Sequence, residues 1–306
     1  MNEELGRGVR AAVTAYVLWG LLTVYWKELT GFNAVELIGW RIMCASVVMA
    51  IVVSVRGRWT ALRAAFADRA LAIRLTVAAV LLTANWTSYV WAVVDGRVIE
   101  TALGYFMAPL GTMILGITVL HERPTRLRQV ALACAAISVV ILTASYGQPP
   151  VIALILASTW SIYGLLKRQV PLTAVESLAG ETFVLFVPAV AVVLVTAQRT
   201  GSIPATAGAG DWVLVSLTGV VTAVPLLLFA VAAQRVPFSL LGPLQYLVPT
   251  INLLLGWLVY DEAMPLDRLV GFGFVWAGLV AVSVDQLRAL TPAAGPRRRL
   301  TPMASG

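Results

Sequence analysis

Charge is scarce in this 306-residue chain. Asp, Glu, Lys and Arg together make up 12% of it, about half the ~25% usual in soluble domains. That scarcity excludes a water-exposed globular fold. Cysteine is nearly missing, and Cys44 and Cys134 both fall within apolar runs. They read as small buried hydrophobes, which leaves no disulfide framework and no thiolate metal site. The one histidine, His121, sits in a loop without companion ligands, so no metal and no cofactor are expected. No glycine-rich phosphate loop occurs, so the chain cannot itself burn ATP as a primary pump. No nucleophile, base and orienting group fall at one depth, so no catalytic residues are expected and the chain does not read as an enzyme. Ten-residue stretches of strict alternation are also lacking, which excludes a β-barrel.

What the chain has is apolar length. Hydrophobic residues make up 59% and mean hydropathy is +0.87, gathered into runs long enough to cross a ~30 Å hydrocarbon core as helices. Ten spans are predicted, at about 8–26, 35–55, 71–92, 98–119, 127–145, 150–166, 176–197, 212–233, 238–260 and 269–285. Only the connections 56–70 and 198–211 are long. With the N-terminus inside, 17 of the 22 basic residues fall on the inner side and four outside, with Arg41 alone inside a span. Both termini are therefore expected to be cytoplasmic. The first span follows Met1–Arg10 with no cleavage pattern and is expected to stay attached. The formal charge of +7 comes with no nucleic-acid motif; anionic lipid and the positive-inside bias account for it.

A repeat runs through the chain at an offset of 140 residues. Ala34-Val35-Glu36 returns as Ala174-Val175-Glu176, and Pro109, Gly116 and Glu122 return as Pro249, Gly256 and Glu262. The first span matches the sixth after a four-residue shift, Gly20-Leu21-Leu22 against Gly164-Leu165-Leu166. The expected organisation is a five-helix unit over 1–147, a second over 148–289 and a disordered basic tail over 290–306. Five helices is an odd number, so the second unit must enter the membrane upside down. Inverted repeats of this kind typify secondary transporters, with the site near the midplane between the repeats.

Candidate pathway residues follow from helical spacing. Tyr105, Pro109, Thr112 and Gly116 share one face of the fourth span, and Gln245, Pro249, Asn252 and Gly256 repeat that stripe in the ninth. Both prolines are expected to kink their helices. Asn85, Trp86 and Tyr89 in the third span, Thr218, Thr222, Pro225 and Phe229 in the eighth, Tyr246, and Trp19 in the first add polar and aromatic lining. Trp26 and Trp257, near span ends, read as interfacial anchors. Charge inside a span is costly and marks function. Arg41, its repeat mate Glu181, and Glu100 at the start of the fourth span are the candidates for coupling. Arg41 is expected to pair with Glu100 in one gating state or to guide an anionic group; a static ion pair is the structural alternative.

Several strings resemble a known family. Asn85-Trp86, Trp91-Ala92-Val93, Glu100, Leu103-Gly104-Tyr105-Phe106-Met107-Ala108-Pro109-Leu110, Pro225 to Ala230, and Leu241 to Thr250 are similar to the signature regions of RarD-type proteins. These form part of the EamA-like branch of the drug/metabolite transporter superfamily. Ala108 departs from the Asn that the family carries before the proline. The resemblance implies a ten-helix carrier of the bacterial inner membrane, with helices 1–4 and 6–9 around a cavity and helices 5 and 10 peripheral. The function expected is secondary transport of a small organic metabolite or drug, in the export direction, by alternating access. The alternative is a flippase or accessory subunit for a lipid or polyprenyl-linked molecule. The partners expected are a small-molecule solute and membrane lipid, without nucleic acid; a homodimer is left open.

Overall fold

A computed structural model of the chain describes residues 3–167, 169–233, 235–236, 241 and 244–290. The basic tail beyond Leu290, and with it the expectation of disorder there, lies outside the described residues. The described elements are helical: α1 (Glu3–Lys27), α2 (Ala34–Val55), α3 (Trp59–Ala67), α4 (Arg69–Val94), α5 (Val98–Thr118) and α6 (Arg126–Tyr146). They continue as α7 (Val151–Lys167), α8 (Ala174–Thr196), α9 (Ile203–Thr206), α10 (Ala209–Ala233), α11 (Leu247–Leu254) and α12 (Leu266–Leu290). A π-helical turn, Leu255–Val259, extends α11.

Eight of these helices are long and apolar enough to cross a membrane. Val151–Lys167 and Leu247–Val259 are shorter apolar helices. The 17 residues of α7 reach about 26 Å at 1.5 Å per residue, just under the hydrocarbon thickness. Polar caps set several starts. Asn33 accepts from the Val35 N–H at 2.9 Å, Asp68 from Ala70 at 2.9 Å, and Thr125 from Arg128 at 3.2 Å. Thr173 and Glu176 close a reciprocal capping box on α8.

Two expectations need correction. The connection 56–70, expected only as a link between spans, contains α3, with Leu62 and Ala65 buried, Trp59 stacked on Phe183 at 5.6 Å, and Phe66 half exposed. Leu62 and Ala65 face the bundle while Arg63 is exposed, a short amphipathic helix that averaging over a long window conceals. The ninth span, expected to be continuous over 238–260, is broken. Gln245 and Tyr246 form a turn, so Pro249 sits in the first turn of α11 rather than mid-helix. Lacking an N–H, Pro249 cannot bond the Gln245 carbonyl, which accepts from Val248 instead at 3.3 Å. Its mate Pro109 lies inside the continuous α5.

Helix starts at 34, 69 and 126 return at 174, 209 and 266. The positive-φ residues His121 and Asp261 also stand 140 apart. Packing respects the same offset. α1 on α10 is matched by α7 on α4, α1 on α11 by α7 on α5, and α2 on α10 by α8 on α4. Three pairs of equivalents pack on each other: α2 with α8, α5 with α11, and α6 with α12. Each such pair runs antiparallel. Arg58 beyond the end of α2 meets Glu176 at the start of α8, and Glu262 beyond α11 meets the start of α5. Thr125 before α6 meets Asp285 late in α12. Through these contacts α6 and α12 pack chiefly on each other, to the side of the remaining helices.

Candidate functional site

Polar side chains from both halves of the chain converge in the middle of the bundle. Thr23 on α1 is 2.8 Å from the Tyr89 hydroxyl on α4 and donates to Asn252 Oδ1 on α11 at 2.9 Å. Asn252 Nδ2 reaches Thr101 Oγ1 on α5 at 3.5 Å. Beside this chain of bonds, Tyr105 donates to Asn85 Oδ1 at 3.1 Å, and Asn85 Nδ2 donates to Thr159 Oγ1 on α7 at 2.9 Å and to the Leu156 carbonyl at 3.1 Å. Thr23, Asn85, Tyr89, Thr101 and Asn252 are all buried. Each bond is worth only about 1 kcal/mol net, but leaving a buried member unpaired costs about 1–3 kcal/mol. Separating helices joined this way costs about that much for each group left without a new partner.

Arg41 on α2 occupies the adjoining region at 4% exposure. Its Nε donates to Thr222 Oγ1 on α10 at 3.0 Å. Its guanidinium carbon lies 4.0 Å from the Trp86 ring centre and 5.4 Å from that of Trp26. Trp26 is thus a core residue, 1% exposed, rather than an interfacial anchor. Being near a helix end in sequence did not bring it to the surface, because the loop residue Leu29 packs with it in the core. In this conformation Arg41 is not paired with Glu100. Glu100 takes Arg97 at 2.5 Å and the Ile152 N–H at 3.0 Å. Glu181, fully buried, takes Lys167 at 2.7 Å, the Tyr163 hydroxyl at 3.1 Å and Ser177 at 3.0 Å.

The remaining candidates divide. Trp19 and Phe229 stand 5.7 Å apart and both face Tyr16. Pro225 is buried one turn from Thr222, while Pro109 is half-buried. Tyr246 lies 6.4 Å from Phe106, and Gln245 and Pro249 flank it in the break of the ninth span. Thr112 is exposed, with its hydroxyl bonded back to the Ala108 carbonyl at 3.1 Å, and takes no part in the central network. Sequence reasoning missed Thr23, Thr101 and Thr159. A surface groove of about 380 Å³ lined by Phe66, Arg69, Ile73 and Val77 lies at the α3–α4 elbow, away from this centre.

One face of the bundle is tied by carboxylates that reach from one half to the other. Glu36 accepts from the Ile203 N–H at 3.0 Å and Glu100 from Ile152. Glu262 accepts from Val98 at 2.6 Å and Ile99 at 2.8 Å. Each neutralises orphan donors at a helix start. Burial pushes the Glu262 carboxyl above the usual carboxylate range, against the opposing pull of the two amides and of Lys27 and Arg268. A carboxyl raised in the folded state binds more protons there than when unfolded. Its contribution to stability therefore grows as pH falls through the folded value toward the unfolded one. Glu262→Ala is expected to cost about 1–2 kcal/mol through the lost cap. Glu262→Gln should cost less at about pH 8 than at about pH 5, where the protonated wild type gains. Thermal unfolding at the two pH values measures both effects.

Apolar helices around a closed polar centre define a multi-pass membrane protein that can hold a polar group away from lipid. The chain belongs to the EamA-like transporter family, whose sequence profile matches residues 6–144 and again 149–284. It is 39% identical to the protein RarD of Streptomyces exfoliatus, over 94% of this chain and 91% of that one. It is 36% identical to the uncharacterized transporter YojE of Bacillus subtilis (strain 168), over 94% and 97%. The protein RarD of Escherichia coli (strain K12) is 32% identical over 93% and 96%. The chain is thus a RarD-type membrane transporter. A solved crystal structure superposes with a TM-score of 0.60, covering 90% of this chain and 97% of its own at 16% identity, a likeness of fold alone.

Proposed function

We propose that the chain is a secondary transporter of the bacterial inner membrane that exports a small organic solute by alternating access. In this reading ten helices cross the membrane as two inverted five-helix units, 1–147 and 148–289, with both termini cytoplasmic. The exchange of helix contacts between halves and the antiparallel packing of equivalent helices support the inverted arrangement. The 17-to-4 distribution of basic residues supports the orientation. The face tied by Glu36, Glu100 and Glu262 is then the outer one, and coupling falls to Glu100 or Glu181.

The observation that carries the proposal is the buried network Thr23–Tyr89–Asn252–Thr101 with Asn85–Tyr105–Thr159. Buried polar groups inside a span are expensive unless they serve a pathway or lock two helices together. A solute that offers its own donors and acceptors can replace these bonds and let the halves rock apart. Counterflow in liposomes against a panel of organic acids, amides, amino acids and amphenicols tests the reading. Asn85→Leu should lower flux at least about tenfold while folded protein is retained, since one site contact of about 1.4 kcal/mol corresponds to that factor. Absence of flux for every solute, with and without a proton gradient, would remove the transporter mechanism proposed here.

A further inference from the structure

Arg41 has a charge and more donors than the protein around it uses. Of its five N–H donors, the one on Nε goes to Thr222. Among the described residues, the four on Nη1 and Nη2 have no hydrogen-bond acceptor, and no carboxylate lies within ion-pair distance. A second, independent observation falls at the same place. The Trp26 indole N–H, on a side chain 1% exposed and in cation–π range of Arg41, is also without an acceptor. Indole faces on Trp26 and Trp86 offset part of the cost of burying the cation. They leave its hydrogen-bonding fork empty.

Resting on the transporter reading above, we propose that Arg41 and Trp26 form the anchor for the carboxylate of a monoanionic solute with an apolar or aromatic body. The guanidinium fork matches two carboxylate oxygens, and a charge-assisted pair of this kind is strongest where water is excluded. A phosphate ester would bring about two negative charges. Lys167 and Arg97, which also bond buried carboxylates, are already matched to Glu181 and Glu100. A zwitterion would need a free carboxylate for its ammonium group, whereas Glu100 and Glu181 are both engaged. Thr222 orients the guanidinium through its bond to Nε. The aromatic side chains of Trp86, Tyr89 and Tyr105 supply the surface for the apolar body.

Phenylacetate and indole-3-acetate, each beside its neutral amide, are the probes. Binding is read by isothermal titration calorimetry on purified protein, and movement by counterflow in liposomes. The acids are expected to bind wild type at least about tenfold more tightly than the amides. Arg41→Gln should abolish that preference, and Arg41→Lys, which keeps the charge but not the fork, should retain part of it. Equal binding of acid and amide by wild type overturns the proposal, as does an Arg41→Gln protein that elutes monodisperse and keeps the preference. If Arg41→Gln does not fold, the wild-type comparison and Arg41→Lys still decide. Acids that bind but never move would leave the anchor standing and remove the transporter mechanism. Amides moved as well as acids would do the reverse.

Discussion

Valine in place of Gly219 is expected to reduce the yield of folded protein to a small fraction of wild type. On α10, a Cβ at Gly219 would overlap the Cys44 carbonyl group and approach Ala45 N to 2.9 Å. These are backbone atoms of α2, so no side chain can rotate aside. The helices themselves must part, at a cost above the about 1–3 kcal/mol seen where side chains can yield. Parting them also undoes Arg41–Thr222 and the contact of the Cys44 thiol with the Val215 carbonyl. The repeat mate of Gly219 is Ala79, fully buried on α4, so the equivalent contact of α4 with α8 already accommodates a methyl. Ala79→Gly should accordingly be mild. Yield of monodisperse protein after extraction separates the two variants; a normal yield of Gly219→Val would mean that α2 and α10 are not in close contact.

Glu181→Ala should be the most damaging single loss of charge. Glu181 is completely buried, and its removal strands Lys167, Ser177 and the Tyr163 hydroxyl together. Breaking a buried pair from one side costs about 3–5 kcal/mol, because the partner stays desolvated. Lys167 is 25% exposed at its side chain and can turn partly to water, which places the expectation near the lower end. Pairing Glu181→Leu with Lys167→Met removes both charges and should restore part of the loss. Thermal unfolding across the four proteins of this double-mutant cycle gives the coupling directly. Additive losses would show that the two side chains do not interact.

Much of the fold was legible. Apolar runs bounded by charged or Pro/Gly-rich breaks gave helix ends within a few residues of α2, α4, α5, α6, α8 and α10, because, closed barrels apart, only a helix fills a hydrocarbon core without unpaired backbone groups. The 140-residue offset, which helix starts at 34, 69 and 126 keep with those at 174, 209 and 266, was legible because Pro, Gly and Glu are rare enough for colinear matches to carry information. The helix α3 was not, since nine residues with two arginines nearby dilute any long average. Of the polar centre, Asn85, Tyr89, Tyr105 and Asn252 could be found by helical spacing. Thr23, Thr101 and Thr159 could not, because threonine inside a span usually bonds its own preceding turn, as Thr83 does with Ala79. Glu262 capping Val98 and Ile99 joins residues more than 160 apart in sequence, a pairing that no local window contains.

The break in the ninth span distinguishes otherwise equivalent elements. α5 runs unbroken past Pro109, whereas its counterpart has a turn at Gln245-Tyr246 before Pro249 and a widened π turn from Leu255 to Val259. Wide turns and missing backbone bonds are where a helix yields first. The molecule therefore has a jointed helix on one side and a continuous one on the other. Bending confined to the jointed partner would make the two directions of the proposed rocking cycle mechanically unequal, although the two helices occupy equivalent places 140 residues apart.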